Sequence, residues 1–357
     1  MARWVKGLVY RLGKGLGLFH LAQCVTARKL RIICYHGVSI NDEHVYSPHL
    51  FMQPETVRSR MEFLRRAGYA VLPLAEAVDR LYAGSLPPHA VVITYDDGFY
   101  GSFLHAMGLV RDFGLPMTFY VTTYYVTKQT PVFRLLVQYL FWKTDRRELN
   151  VEGLPGMDGE TVLIQGTDRG EELKWGLIRH AEEQLDEPGR VALSRELGAR
   201  LGVDYETLCQ DRRLSLMNVE EVARMKAAGV DIQLHTHRHR MPSDAAQMSQ
   251  EIRDNRAVLE PVVGHPCDHL CYPSGAFTAE QWPALEADRI ASATTCIIGL
   301  NDARTPRYAL RRFLDAENVT PIEFEAELSG FAELLRRARA TFREEPPPTS
   351  SPMAYGH

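Results

Sequence analysis

The sequence predicts an α/β fold whose strands run parallel, either as a barrel or as an open sheet. Residues 90–95 form an apolar run bounded by Pro-Pro and by Asp-Asp-Gly, which is typical of a buried strand. A helix should follow, because Phe103, Met107 and Val110 fall on one helical face and a glycine stops the pattern. Residues 117–123 then form a second apolar strand. Two strands joined through a helix by short connections lie parallel to each other.

The same alternation of strand and helix recurs along the chain. Asn218 and Glu221 have the spacing of a capping box, which predicts a helix that ends near Gly229. Residues 230–234 form the next predicted strand. Further strands are expected at residues 30–35, 269–272 and 292–298. Repeated βα units of this kind are typical of a barrel or of an open parallel sheet.

Residues 124–216, approximately, interrupt this alternation and are expected to form a partly helical insertion that caps or flanks the core. The insertion should contain a helix at 131–142, a loop or small hairpin at 153–170, and one or two charged helices at 171–201. The domain with its insertion is expected to span residues 30–340. Residues 341–357 include three consecutive prolines and several small polar residues, which predicts a disordered tail.

The composition narrows the functional class. A chain of 357 residues that is 45% hydrophobic can form one large α/β domain with extensions, or two ordinary domains. The net charge of −4 provides no basic footprint for nucleic acid, so we expect no nucleic-acid partner. Six cysteines are too few for a disulfide framework, which indicates unpaired thiols or a reducing compartment. No stretch is long and apolar enough for a spanning helix.

Residues 1–29 form an N-terminal segment of amphipathic character. Its apolar residues recur at helical spacing among basic ones, and they are Trp4, Val5, Leu8, Leu12, Leu16 and Phe19. Three interpretations are open: a helix packed on the domain, a peripheral membrane contact through residues 1–21, or a signal segment. Gln23 stands where a lipoprotein cleavage site before Cys24 needs a small residue. We therefore expect no signal peptide, and a cytoplasmic or membrane-peripheral protein.

Polar residues follow directly after three of the predicted strands, where the carboxyl ends of parallel strands build functional sites. Asp96 and Asp97 come after the strand at 90–95. Two adjacent carboxylates repel each other unless a cation or a proton lies between them. The alternative is an ordinary turn in which Asp97 caps the following helix.

The other two segments follow the strands at 230–234 and 269–272. His235 and His239 are four residues apart, so in a helix or tight turn both imidazoles can face one ion, whereas His237 has the wrong spacing. The alternative is a solvent-facing histidine cluster. Ser274 lies in a rigid Pro-Ser-Gly turn whose backbone N–H could serve as an oxyanion donor, or which could simply end the strand.

Together the three segments resemble those of the polysaccharide deacetylases, the homology domain shared with the nodulation chitooligosaccharide deacetylase in carbohydrate esterase family 4. Residues 94–98 are similar to the first motif, with Tyr95 in place of the more usual Phe. Residues 235–239 match the second motif, and residues 272–275 are similar to the third. The resemblance covers about residues 30–125 and 215–320. It implies a distorted (β/α) barrel with the partly helical insertion.

The resemblance also implies roles for individual residues. One divalent ion, zinc first and cobalt, nickel or iron as alternatives, would be held by Asp97, His235 and His239. Asp96 would be the general base, and the backbone N–H of Ser274 would be the oxyanion donor. The third motif would contribute to substrate binding, through Tyr272, Pro273 and Gly275.

Two departures from the family pattern change these expectations. Typical members carry an Arg two positions before the proline of the third motif, where this chain has Cys271, and Arg312 is a candidate replacement. They also carry a late Leu-x-His segment that supplies the general acid, and this chain has none. Residues 32–38 instead resemble an N-terminal Tyr-His segment of the permuted deacetylases of poly-N-acetylglucosamine. This assigns His36 as the general acid, and the alternative is a buried strand-end histidine bonded to backbone.

The function implied is removal of N-acetyl groups from a glycan by a bacterial enzyme of exopolysaccharide or cell-surface polysaccharide assembly. An alternative with the same chemistry is an O-deacetylase or deformylase that acts on a sugar or a lipid-linked sugar. A different class of alternative is a catalytically silent glycan-binding domain on the same fold. An intact set of Asp96, Asp97, His235 and His239 argues against that class, because a binding domain does not need an open metal site.

Overall fold

The computed structural model describes residues 3–157, 159 and 161–341. Apart from its first residue, the tail predicted at 341–357 lies outside the described residues. The strands are β1 (Arg31–Tyr35), β2 (Gly37–Val38), β3 (Phe51–Met52), β4 (Ala70–Val71), β5 (Ala90–Tyr95), β6 (Thr118–Val121), β7 (Glu148–Asn150), β8 (Thr161–Leu163), β9 (Asp231–Leu234), β10 (His269–Cys271), β11 (Ser292–Thr294) and β12 (Phe313–Leu314).

Helices connect these strands and surround the sheet. They are α1 (Arg3–Gly15), α2 (Leu18–Val25), α3 (Glu43–Tyr46), α4 (Pro54–Arg66), α5 (Leu74–Tyr82), α6 (Tyr100–Phe113), α7 (Tyr124–Lys128), α8 (Phe133–Lys143), α9 (Asp168–Gln184), α10 (Glu187–Leu201), α11 (Tyr205–Gln210), α12 (Val219–Ala227), α13 (Ala245–Val263), α14 (Trp282–Ala287), α15 (Pro321–Leu328) and α16 (Phe331–Thr341). Two short 3₁₀ turns cover Pro273–Gly275 and Ala279–Gln281.

The main sheet is a distorted parallel barrel, as the sequence predicts. Its strands follow the order β11-β10-β9-β6-β5-β1-β12, every pairing is parallel, and β4 adds a short pairing to β5. The two edges are joined by a parallel bridge between Thr294 and Leu310, which lies just before β12. Leu310 N donates to Ala293 O and Thr295 N donates to Leu310 O, both at 2.9 Å. Closure satisfies the edge groups that an open sheet would leave unpaired.

Local signals in the sequence set the boundaries of several elements. All six residues of β5 are buried, which explains its uninterrupted apolar run. Helix α6 ends at Gly114, whose φ of 62° is the left-handed conformation that glycine adopts without strain. Asn218 and Glu221 form the predicted capping box of α12. The strand predicted at 292–298 is wrong in length, because Ile297 N donates to Thr295 Oγ1 and the chain turns after Thr294.

The insertion forms a helical layer with one antiparallel hairpin. Helix α8 packs against α9 and α10, and β7 pairs with β8 as the small hairpin expected in this region. Val132 and Leu135 of this layer line a cleft that also contains the polar strand ends of the barrel. The insertion therefore flanks the mouth of the barrel.

The N-terminal segment packs on the barrel through one face. Tyr10, Phe19 and Ala22 are buried in a cluster with Phe331 of α16, and the ring centroids of Phe19 and Phe331 are 5.1 Å apart. Lys6 forms an ion pair with Glu323 of α15 at 3.0 Å. The inner face of the N-terminal segment therefore packs on the domain, as the first of the three interpretations expected. Within the described ranges, no helix has the length and apolar character needed to cross a bilayer.

Candidate active site

Asp97, His235 and His239 meet at the carboxyl ends of β5 and β9. Asp97 Oδ1 lies 3.2 Å from His235 Nε2 and 3.2 Å from His239 Nε2. The centroids of the two imidazole rings are 4.9 Å apart and their planes cross at 68°. One ligand atom from each of the three residues lies within 4.8 Å of the other two. The structure thus brings together the three residues that the sequence proposed as metal ligands.

Unusual backbone conformations aim these side chains at one point. Asp97, Thr236 and His239 have φ values of 68°, 61° and 52°, so the histidines lie on tight turns and not on a helix. Residues other than glycine rarely adopt a positive φ, and those that do concentrate at functional sites. His235 Nδ1 donates to Cys271 O at 2.8 Å, which fixes its tautomer and leaves Nε2 free to face Asp97.

The buried oxygen of Asp97 fits a cation. Asp97 Oδ1 is fully buried, and no described residue donates a hydrogen bond to it. A buried acceptor without a partner costs about 1–3 kcal/mol, so such groups indicate a ligand or ion. Burial opposes ionisation of Asp97, whereas positive charge on His239 and His235 holds the pKa of its carboxyl well below the usual range, and a cation at the same point would act in the same direction. One carboxylate and two imidazoles are ligands that zinc and similar divalent ions accept.

Asp96 points toward the same cleft and is held by Arg312. The guanidinium Nη1 and Nη2 donate to Asp96 Oδ1 and Oδ2, each at 2.7 Å, and both side chains are buried. Arg312 Nε also donates to Thr295 O at 2.9 Å, which fixes the plane of the guanidinium. Burial raises the pKa of Asp96, but Arg312 outweighs it and holds that pKa well below the ordinary value. Typical family members carry an arginine at the position of Cys271 to support this carboxylate. In this chain Arg312 contacts the carboxylate instead.

Two buried thiols contact one oxygen of Asp96. Cys34 Sγ lies 3.4 Å and Cys271 Sγ 3.3 Å from Asp96 Oδ2. Cys271 Sγ also accepts a hydrogen bond from Arg312 Nη2 at 3.1 Å. Cys34 was not identified from the sequence, although it lies on β1 two residues before His36, and side chains two apart along a strand point in the same direction. This spacing could have predicted that Cys34 faces the same side as His36.

His36 lies at the end of β1, next to Asp96. Its Nε2 is 3.8 Å from Asp96 Oδ2, and its side chain is 18% exposed to the cleft. Ser102 Oγ donates to the backbone oxygen of His36 at 2.7 Å and accepts from Val38 N, so the strand end is fixed. Burial lowers the pKa of the His36 imidazole. The barrel therefore places His36 at the same end as His235 and His239.

The third segment forms a turn that presents Ser274 to the cleft. Ser274 has a φ of 55° inside the 3₁₀ turn at Pro273–Gly275. A Cβ on Gly275 would lie 2.7 Å from Cys296 Cβ and 2.9 Å from Cys296 N, so this close approach requires glycine. Tyr272 lines the cleft and donates through its hydroxyl to Tyr308 O at 2.9 Å. Substrate binding through Tyr272, Pro273 and Gly275 stays a prediction.

The cleft has a polar floor and an apolar wall. The floor contains the histidines and aspartates just described, together with Ser274. The wall includes apolar side chains from the residue before β3, from the loop after β5 and from the insertion. They are Leu50, Phe99, Val132, Leu135 and Leu216. A cleft with convergent polar groups on an apolar wall is the usual form of a small-molecule site. The wall residues carry no motif, and sequence reasoning did not identify them.

Sequence and structure comparisons relate this chain to known proteins. Residues 206–309 match the sequence model of the polysaccharide deacetylase family. No curated protein sequence matches the chain at a significant level. The fold is similar to that of the Streptococcus pyogenes deacetylase PplD, solved in complex with acetate, with a TM-score of 0.55 and 15% identity. The alignment covers 85% of this chain and 99% of PplD.

Two further structures share the fold. IcaB from Ammonifex degensii aligns with a TM-score of 0.51 and 16% identity, over 85% of this chain and 97% of IcaB. A de-N-acetylase from Aggregatibacter actinomycetemcomitans aligns with a TM-score of 0.52 and 13% identity, over 84% of this chain and 99% of that protein. At these identities the structures establish the fold, and the family model covers the second and third motifs. Residues 206–309 are thus similar in sequence to the polysaccharide deacetylase family, and the chain shares the fold of solved deacetylases.

Proposed function

We propose that this protein hydrolyses N-acetyl groups of a glycan, which releases acetate and leaves a free amine on the sugar. The observation that carries the proposal is the buried oxygen Asp97 Oδ1, which faces two imidazole nitrogens at 3.2 Å and accepts no hydrogen bond from the described residues. The match of residues 206–309 to the polysaccharide deacetylase model and the fold shared with a named de-N-acetylase support the reaction class.

One divalent ion would be held by Asp97, His235 and His239, with zinc the best match to one carboxylate and two imidazoles. Such an ion supplies Lewis acidity, which makes water acidic enough to lose a proton near neutral pH and polarises a carbonyl. His235 is held in the ligating tautomer by the carbonyl of Cys271. His239 is the more exposed ligand, with 40% of its side chain accessible, and it faces the open side of the cleft.

Asp96 is the general base in this proposal. Its ion pair with Arg312 keeps the carboxyl ionised, and an ionised carboxylate can accept the proton of the attacking water. The bidentate contact fixes the direction of both oxygens, so the carboxylate does not have to reorient during proton transfer. As negative charge develops on the acetyl oxygen, the backbone N–H of Ser274 donates to it from the turn at Pro273–Gly275.

His36 is the general acid. An amine leaves the tetrahedral carbon poorly until its nitrogen is protonated, so a proton donor is needed on the leaving-group side. The His36 imidazole lies beside Asp96 and is partly open to the cleft. No other described histidine of the cleft is left for this step after the two ligands, apart from His49 on the wall. Tyr272 is buried and its ring stacks at 5.0 Å on Phe277, so in this proposal it supports the turn that carries Ser274.

The proposal is tested by measuring acetate and free amine after incubation with N-acetylglucosamine oligomers, with O-acetylated xylan oligomers as the comparison substrate. Release from the N-acetyl substrate, lost on chelation and restored by added zinc, is the expected result. Release from the O-acetyl substrate alone would favour the O-deacetylase alternative. Binding of oligomers without any release would favour the silent binding domain. The bacterial setting and the cytoplasmic or membrane-peripheral location stay predictions.

A further inference from the structure

The N-terminal helices expose an apolar surface that the barrel does not cover. Among the described residues, seven of the thirteen exposed large hydrophobic side chains lie between residues 4 and 25. We define the outward face of α1 and α2 by the six most exposed of them, which are between 49 and 76% accessible: Trp4, Leu8, Leu12, Leu16, Leu21 and Val25. Scattered exposed hydrophobic residues are ordinary, but a concentration of this kind marks an interaction surface.

The exposed residues form a continuous stripe because of their spacing. Trp4, Leu8 and Leu12 are each four residues apart, which aligns them along one side of α1, and Leu16 follows at the same spacing directly after the helix. The opposite side of α1 carries Tyr10, which packs on Phe331 of α16 at a centroid distance of 6.1 Å. The helix therefore uses its inner side for the fold and leaves its outer apolar side toward solvent.

The charge of this region favours an anionic partner. Residues 1–41 contain seven Lys and Arg residues and no Asp or Glu. Of these, Lys29 pairs with Asp302 and Arg31 is buried. Lys6 and Lys14 are neutralised on the inner side by Glu323 and Glu325 of α15. Arg11 is exposed beside the outward face and forms no ion pair with the described residues. Basic residues that border an apolar helix face are the arrangement that binds anionic lipid surfaces.

We propose that the outward face of α1 and α2 docks on the surface of an anionic lipid bilayer. The face is a convex helix stripe without a groove, so it can insert shallowly among lipid headgroups, and Trp4 has the amphipathic ring that favours this interface. A second copy of the chain is a poorer partner, because its outward face would bring the same acid-free basic segment opposite Arg11. Docking places α1 and α2 in the plane of the membrane, and it does not depend on the reaction proposed above.

Vesicle co-sedimentation of the full chain tests this surface. We expect binding to vesicles of phosphatidylcholine mixed with phosphatidylglycerol, weaker binding to phosphatidylcholine alone, and weakening by salt. The double variant Leu8→Glu, Leu12→Glu should lose binding by more than about tenfold, because it replaces apolar contacts with charge opposed to the lipid. The matched control is Leu104→Glu, Leu163→Glu, which changes two leucines of similar exposure elsewhere and should bind like the wild type.

Two further measurements make the result decisive. Both double variants should have similar melting temperatures, because all four leucines are about half exposed. Tryptophan emission should shift to shorter wavelength on anionic vesicles, and Trp4→Phe should abolish most of that shift while binding persists. The proposal is overturned if the wild type ignores anionic vesicles or if the control variant loses binding equally. It is also overturned if the wild type is a dimer that only Leu8→Glu, Leu12→Glu dissociates.

Discussion

Arg312, just before β12, and Asp96, just after β5, form a buried bidentate ion pair with both N···O distances at 2.7 Å. The two residues are 216 positions apart in the chain and become neighbours because β1 is the only strand between β5 and β12 in the described sheet. The pair therefore links the closure of the barrel to the orientation of the proposed base.

Arg312→Lys should lower the turnover number for acetate release by about 10²-fold, because lysine cannot reproduce the bidentate contact that orients Asp96. Arg60→Lys is the matched control, since Arg60 forms another buried ion pair, with Asp315 at 2.9 Å. Both variants should lower the melting temperature, and only Arg312→Lys should reduce turnover per folded molecule. Equal turnover in the two variants would contradict an orienting part for Arg312.

Asp97→Ala and His239→Ala should lose the divalent ion, as measured by elemental analysis of the purified protein. The wild type should carry about one ion per chain, because one carboxylate and two imidazoles converge on one point. His237→Ala is the control: its Nδ1 is engaged with Thr123 Oγ1 at 2.8 Å, outside the proposed ligand set. Full occupancy in both ligand variants would disprove the assignment.

Asp96→Asn should retain the ion and lose acetate release by about 10²–10⁴-fold, the usual loss when a general base is removed. The amide preserves the size of the side chain but can accept from only one nitrogen of Arg312, so the melting temperature is measured alongside and turnover is expressed per folded molecule. Parallel measurements of metal content and turnover separate this variant from the ligand variants. Near wild-type turnover would show that another group accepts the proton.

His36→Ala should reduce turnover on N-acetyl substrates while the metal content stays at the wild-type level. Phenyl acetate has a good leaving group that needs no proton, so its hydrolysis should be affected far less. His49→Ala, which changes another histidine of the cleft, provides the comparison. An equal loss on both substrates in His36→Ala would assign His36 a role in structure and not in leaving-group protonation.

Local patterns in the sequence determined much of the fold and the centre of the site. The strand–helix–strand unit from β5 to β6 follows from an apolar run, a helical face and the glycine at position 114. The capping box of α12 follows from two residues three positions apart. The positions of Asp97, His235 and His239 follow from their placement after strands, since the carboxyl ends of parallel strands converge.

Contacts between distant segments decided the rest. Strands of two residues, such as β12, are too short for a periodic pattern, and β12 is held in place by pairing with β1. The same pairing positions Arg312, and no local pattern distinguishes Arg312 from the neighbouring Arg311. Cys34 reaches Asp96 only because β1 lies beside β5. The sequence shows that the N-terminal helix is amphipathic, but the packing of Tyr10 and Phe19 on Phe331 determines which side faces solvent. Periodicity in the sequence determines local secondary structure, whereas these contacts depend on which surfaces meet when the barrel closes.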